Sequence, residues 1–384
     1  MPRVPLSVLD LSPFGEGRTP ADGLRASIAL ARHAEQLGYH RYWLAEHHFN
    51  PGLSGSAPHV LLPAIAAATE RIRIGTAATI IGNYLPVQVA EAAGVLAALH
   101  PGRVDLGIGR SGTRGAPQTP VLEGAAEQRV VDGLLLPRPR PFAFDSERFA
   151  VPAGLLGRTA DDADRFEQDV ADILAFIDGT YCAPGSVPIH ATPAEGADIT
   201  VWIHGSTAGP SARLAGELGL PFGANYHVAP AFILDAVAAY RASFRPGRIT
   251  EPRVVVSVDV VVADTDAEAR RLAAGYGRWV HSIRAGRGAV PFPTPLDASV
   301  NPLSHDEFEV VRDRVETQFV GAADTVVERL ETLQRVTGAD ELLVTTITHD
   351  PRDRERSYAL LADAWGITAA RGRERQVAPA GVLA

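Results

Sequence analysis

Gly38-Tyr39-His40-Arg41-Tyr42-Trp43-Leu44-Ala45-Glu46-His47-His48-Phe49 is the stretch on which the fold reading turns. Ahead of it, residues 20–37 carry apolar positions at helical spacing. Thr19 stands as N-cap, Pro20 at the first helical position, and Gly38 as the stop. Residues 39–45 then form a short, mostly apolar run, which reads as a strand. A carboxylate and two imidazoles follow directly, where the strand gives way to a loop. In parallel α/β proteins the carboxyl ends of the strands are where ligands bind.

Working outward, the same alternation repeats. Strands are expected at 4–11, 39–45, 72–81, 104–108, 199–203, 222–226, 253–263 and 341–346. Helices are expected at 20–38, 58–69, 86–99, 162–178, 210–218, 230–244, 266–283, 325–337 and 353–365. A strand followed by helical material, eight times over, predicts an α/β fold of the (β/α)8 TIM-barrel kind. A doubly wound open sheet is the competing architecture, but no Gly-x-Gly-x-x-Gly follows the first strand. Two stretches break the rhythm. Segment 111–157 is rich in Pro, Arg and Gly, and 285–318 contains Pro291, Pro293, Pro295 and Pro302. Both are expected to be long lid or binding loops inserted at the carboxyl face of one barrel domain spanning 1–370, with 371–384 as a frayed tail.

Composition narrows the function classes. With 384 residues, 46% of them hydrophobic, the chain can bury a large core. The net charge of -9 and the lack of a basic patch argue against nucleic acid as a partner. No apolar run reaches the length of a membrane span and no leader pattern precedes the first strand, so a cytoplasmic protein is expected. The single cysteine, Cys182, rules out an intrachain disulfide framework.

Four places carry candidate chemistry. Adjacent residues at a strand end point to opposite sides, so only one of His47 and His48 can face a given pocket directly. An imidazole there suits proton transfer or hydrogen bonding to an anion. The plainer alternative is that one histidine caps the barrel while Glu46 pairs with an arginine. No H-x-x-x-H spacing accompanies the pair, so no metal site is expected. The run 204–212 (H-G-S-T-A-G-P-S-A) follows the fifth strand and opens a helix. Gly205 permits close approach, Ser206 and Ser211 offer hydroxyls, and the helix start offers N–H groups; together they meet the needs of a phosphate, though a Ser/Gly-rich helix start is common. Residues 107–112 (G-I-G-R-S-G) end the fourth strand, with Arg110 available either to a phosphate or to a surface ion pair. Residues 75–79 (G-T-A-A-T) are small enough for something flat to lie over them, or simply for tight barrel packing.

Taken in order, these motifs resemble the bacterial luciferase-like flavin-dependent monooxygenases. The matching pieces are A-E-H-H-F at 45–49, G-T-A-A at 75–78, P-V-Q-V-A-E at 86–91, P-G-R-V-D-L-G-I-G-R at 101–110, G-S at 205–206 and S-A-R-L-A-G-E-L-G-L-P-F at 211–222. The resemblance implies a (β/α)8 barrel that takes reduced FMN from a separate flavin reductase. Dioxygen would add to the flavin as a hydroperoxide and oxygenate a small aldehyde, ketone, aromatic or thioether substrate. It implies that Ser206, Ser211 and Gly205, with Arg110 nearby, hold the phosphate. Ala77 and Ala78 would lie under the isoalloxazine, joined by a cis peptide. His47 would be the catalytic histidine, with His48 beside it, and the chain would form a homodimer through the helices at 58–69 and 86–99. Asn83 and Tyr84 carry over no role. A deazaflavin-dependent oxidoreductase on the same fold, or a flavin-binding relative without catalysis, are the alternatives to be separated.

Overall fold

A computed structural model describes residues 2–110, 127–140, 154–157 and 165–367. Its centre is a closed barrel of eight parallel strands. In chain order these are β1 (Leu6–Asp10), β2 (Arg41–Leu44), β3 (Arg73–Thr76), β4 (Val104–Gly109), β5 (Ile199–Gly205), β6 (Phe222–Asn225), β7 (Val254–Ala263) and β8 (Glu341–Thr345). Each strand pairs with the next, and Leu6 of β1 meets Leu342 of β8 to close the ring.

The helices that cover the outside are α1 (Pro20–Leu37), α2 (Pro58–Ala68), α3 (Pro86–Leu99), α4 (Phe166–Asp178), α5 (Pro210–Glu217) and α6 (Ile233–Ser243). The series continues with α7 (Asp266–Ala273), α8 (Tyr276–Arg284), α9 (Pro295–Val300), α10 (His305–Thr317), α11 (Ala323–Thr337) and α12 (Pro351–Trp365). The start of α1 is fixed locally: Thr19 and Asp22 close a capping box, and Gly38 ends the helix in the left-handed region at φ 99°.

Side chains alternate in and out along each strand, which sorts the sequence into layers. At the amino end of the barrel interior Arg41 bridges Asp105 at 2.6 Å and Glu341 at 3.0 Å, all three nearly inaccessible. Above them Leu9, Trp43, Trp202, Val255 and Leu343 form an apolar plug. Outside the ring the core lies between strands and helices, with Val8, Leu44, Ile74, Val256 and Val344 at its centre.

Three expectations are corrected. The strand expected at 72–81 is two pieces, Arg73–Thr76 and Thr79–Ile80, separated by a cis peptide between Ala77 and Ala78. The helix expected at 266–283 breaks at Ala274–Gly275, and the new direction lays α8 across the carboxyl end of the barrel. Gly275 lies against this cover, where a Cβ would come within 2.9 Å of the Phe292 ring. Segment 285–318 is largely helical rather than a loop. Thr294 caps α9, and Ser304 with Glu307 forms a capping box on α10. Ser304-x-x-Glu307 was a readable start signal that the neighbouring prolines obscured. Of the other expected insertion, 111–157, the part at 111–126 and 141–153 lies outside the described residues. The described part contains a hairpin of Arg129–Val131 with Leu134–Leu136.

Segment 285–318 covers one side of the barrel mouth. Tyr276, Trp279, Val280, Phe292 and Val311 pack with Leu11, Ala45, Leu53 and Ile347 from the loops after β1, β2 and β8. Backbone bonds tie it down: Gly52 N–H donates to Ala289 O at 2.7 Å, and Phe292 N–H to Phe14 O at 2.9 Å. No helix among the described residues is long and apolar enough to cross a membrane.

Candidate active site at the barrel mouth

The alternation that sends Arg41 and Trp43 into the barrel continues past the end of β2. His47 falls in the inward series and His48 in the outward one. His47 is half-buried, and its Nδ1 is shut off from solvent with no partner among the described residues. Burial, helped by His48, lowers its pKa to about 4, so the ring is neutral at physiological pH. His48 turns the other way and its Nε2 lies 2.7 Å from Glu46 Oε1. The buried Glu46 carboxylate also accepts from Asn83 Nδ2 at 2.6 Å and from the Ile80 backbone N–H at 3.0 Å. His48 and Glu46 thus brace the segment after the cis peptide. Among the described residues Glu46 has no arginine partner, and Asn83, to which no role was carried over, belongs to this brace.

Next around the ring are the small residues of β3 and β4. Gly75 is required by packing, since a Cβ would come within 2.1 Å of Asp105 O. Gly107 is likewise confined, by Thr76 O at 2.0 Å and the His204 ring at 2.8 Å. These glycines answer to barrel closure. Ala77 and Ala78 instead lie half-exposed at the mouth, with Ala78 Cβ facing Gly109. Behind them Thr79 Oγ1 donates to Thr76 Oγ1 at 3.1 Å and lies 3.2 Å from His59 Nε2. Arg110, one residue beyond β4, has its Nε buried without a partner among the described residues.

The β5–α5 turn stands beside it, since Gly109 and His204 are in register. A Cβ at Gly205 would lie 3.0 Å from Ser211 Cβ, so glycine lets the first turn of α5 approach the strand end. Among the described residues no side chain caps α5, and Pro210 starts it, so its first N–H groups have no side-chain acceptor there. Asn225 Nδ2 donates to Ser206 Oγ at 3.0 Å, so the hydroxyl proton is free for another acceptor. An unpartnered buried guanidinium nitrogen, an open helix start and two hydroxyls are what a phosphate monoester needs, and the residues fit FMN.

Three groups at the mouth were not singled out from the sequence. His204 is buried inside β5, edge-on to Trp43, with Nε2 lacking a partner among the described residues and its pKa lowered by burial to about 4. His227, two residues past β6, has Nδ1 2.5 Å from Ser257 Oγ. Burial keeps its pKa well below the ordinary value, with Arg314, His47 and His204 adding in the same direction. Arg314, from α10, pairs with Asp259 at 3.3 Å. Counting alternate residues along β6 (Gly223, Asn225, His227) would have found His227. Arg314 was hidden in a segment read as loop.

A family model for luciferase-like monooxygenases matches residues 5–119 and 175–341. The chain belongs to that family. A luciferase-like monooxygenase of Escherichia coli is 32% identical over 94% of this chain and 96% of its own. The YvbT protein of Bacillus subtilis is 35% identical over the same shares. Among solved structures, apo-MsnO8 superposes with a TM-score of 0.77 at 32% identity, covering 95% of this chain and 98% of that one. Two more distant solved structures share the fold alone. One is the oxygenating constituent of 3,6-diketocamphane monooxygenase from Pseudomonas putida, solved with FMN (TM-score 0.64, 22% identity, 95% and 98% covered). The other is an F420-dependent secondary alcohol dehydrogenase (TM-score 0.61, 15% identity, 95% and 99% covered).

Proposed function

We propose that this luciferase-like monooxygenase is the oxygenase of a two-component system. It takes reduced FMN from a separate flavin reductase and transfers one oxygen atom of dioxygen to a small organic substrate. The observation that carries the reading is His47, neutral and with Nδ1 unpartnered among the described residues, in a mouth that also holds Arg110, Ser206, Ser211 and the start of α5. Reduced FMN supplies the electrons that activate dioxygen. Ser206, Ser211 and the first N–H groups of α5 bind its phosphate, with Arg110 neutralising charge. Ala77 and Ala78 support the ring on backbone and methyl groups, which leaves room for a flat ligand. His47, neutral and free at Nδ1, is able to accept a proton there or to donate one, depending on tautomer, beside the reacting oxygen. The cover of Trp279, Phe292 and Val311 keeps bulk water from that space.

The deciding experiment compares product formation with reduced FMN and dioxygen against turnover with reduced deazaflavin, since the same barrel serves F420 in other proteins. Oxygenated product with FMN alone supports the proposal. Turnover with deazaflavin alone refutes it in favour of an F420 oxidoreductase, and neither activity in favour of a flavin-binding relative. In a fluorescence titration FMN is expected to bind at least 10-fold more tightly than riboflavin, about the value of one charge-assisted contact. Arg110→Met should narrow that gap. Equal affinity for the two flavins would remove the phosphate assignment.

A further inference from the structure

The mouth has a second polar wall, built from β6, β7 and the cover. In register, Ser257 of β7 meets Asn225 and Leu343, and Asp259 meets Thr345. Ser257 and Asp259 therefore share the inward face of β7 with Val255 of the apolar plug. Ser257 holds His227 by Nδ1. Asp259 Oδ2 accepts from the Tyr276 hydroxyl of α8 and from Arg314 Nη2 of α10 at 3.3 Å. Arg314 Nη2 also donates to Tyr276 Oη at 2.9 Å.

A guanidinium carries five N–H donors, and among the described residues this one engages its neighbours through a single nitrogen. Its side chain is only 12% exposed, and its Nε is closed to solvent without a partner among the described residues. Thr345 Oγ1, beside Asp259 across the strands, is also buried and without a partner among the described residues. Buried donors left open in this way are unfavourable unless an acceptor arrives. His227 is held by Ser257 and Arg314 by Asp259, two residues apart on the inward face of β7, so the two side chains stand on one wall of the mouth. The cover that carries Arg314 also brings the apolar side chains Phe292 and Val311 and the Trp279 ring into its packed face.

We propose that Arg314, with His227 beside it, recognises a carboxylate on the substrate. The class of substrate is a small molecule with a carboxylate at one end and an apolar body that reaches toward His47. This rests on the reading of the mouth as the oxygenation site. Arg314 takes the charge and His227 Nε2 supplies a second hydrogen bond. The apolar cover holds the part of the molecule that is oxygenated.

The test uses the full chain without flavin and a matched probe pair, 4-phenylbutanoate and 4-phenylbutanamide, titrated by calorimetry. The acid should bind roughly 10–100-fold more tightly than the amide, the range of a hydrogen bond to a charged group. In the double variant Arg314→Met/Asp259→Asn the preference should fall below about threefold, and removing both charges leaves neither buried alone. Thermal melting of the variant checks that it folds. Equal affinities in the unchanged protein overturn the proposal, as does a preference that survives in the folded double variant. FMN affinity should be unchanged in the variant; its loss would assign Arg314 to the flavin phosphate and also overturn the substrate subsite. Preference for the acid in a protein that performs no oxygenation would count against the oxygenase reading alone.

Discussion

His47 and His48 are neighbours in sequence with opposite surroundings, and the alternation of a strand end is the cause. His47→Ala should leave FMN binding nearly intact while product formation falls by roughly 10²–10⁴-fold, the range for losing a positioned acid or base. Hydrogen peroxide release should rise in parallel. His48→Ala removes a bond to the buried Glu46 and should lower stability by about 1–2 kcal/mol with less effect on turnover. Coupled turnover, peroxide yield and urea unfolding of both variants check this, and a larger catalytic loss in His48→Ala would reverse the two roles. Burial disfavours the imidazolium and sets the pKa of His47 to about 4. The limb of kcat/KM due to this residue should therefore lie near pH 4, below the ordinary histidine value of about 6.5. A limb near 6.5 that vanishes in His47→Ala would contradict that environment. His47 was legible because a strand ended in E-H-H. His227 was not, because its strand was expected to stop at Tyr226. Asp259 and Arg314 meet only when α10 folds over β7, and no spacing along the chain records that contact.

At the scale of elements, segment 285–318 is the instructive case. Its prolines point to a loop, yet Pro295 is at a helix start, where a missing N–H does no harm. Ser304 caps the next helix. Ser304→Ala should destabilise the protein by about 1 kcal/mol, the usual value of an N-cap. Because α10 carries Arg314, substrate KM should rise more than kcat falls. Urea unfolding and steady-state kinetics read the two effects, and unchanged stability would show that the cap is redundant. The helices α2 and α3 support a different expectation. Val60, Pro63, Ala64 and Ala67 form an exposed apolar stripe on α2, and Val95, Ala98 and Leu99 are exposed on α3. These faces are proposed to join two copies of the chain, since small residues permit close helix packing. The test is light scattering at micromolar concentration. A dimer that becomes a monomer in Val60→Glu/Ala64→Glu is the expected result, and a monomeric unchanged protein would remove the proposal.

For the whole molecule, the clustered histidines set a pH response. His47, His204 and His227 all have folded pKa values below the ordinary imidazole value, chiefly through burial. Between about pH 6.5 and 5 the unfolded chain therefore binds more protons than the folded one, and stability falls as pH falls. Their contribution is fully present above pH 6.5 and is progressively lost toward pH 4. Urea midpoints should be lower at pH 5 than at pH 7, and an equal or higher midpoint at pH 5 would show that these rings are not desolvated. The eight-fold strand–helix rhythm, the capped α1, the glycines of the β5–α5 turn and the family were determined by the sequence itself. Periodicity, caps and turns act over a few residues, so they can be read along the chain. The break that lays α8 over the mouth, the tie between Gly52 and Ala289, and the placing of His227 and Arg314 along β7 were decided only by the tertiary structure. Barrel closure brings β2, β6 and β7 together around one space, and α10 completes it by burying an apolar face there, a contact between residues far apart in the chain.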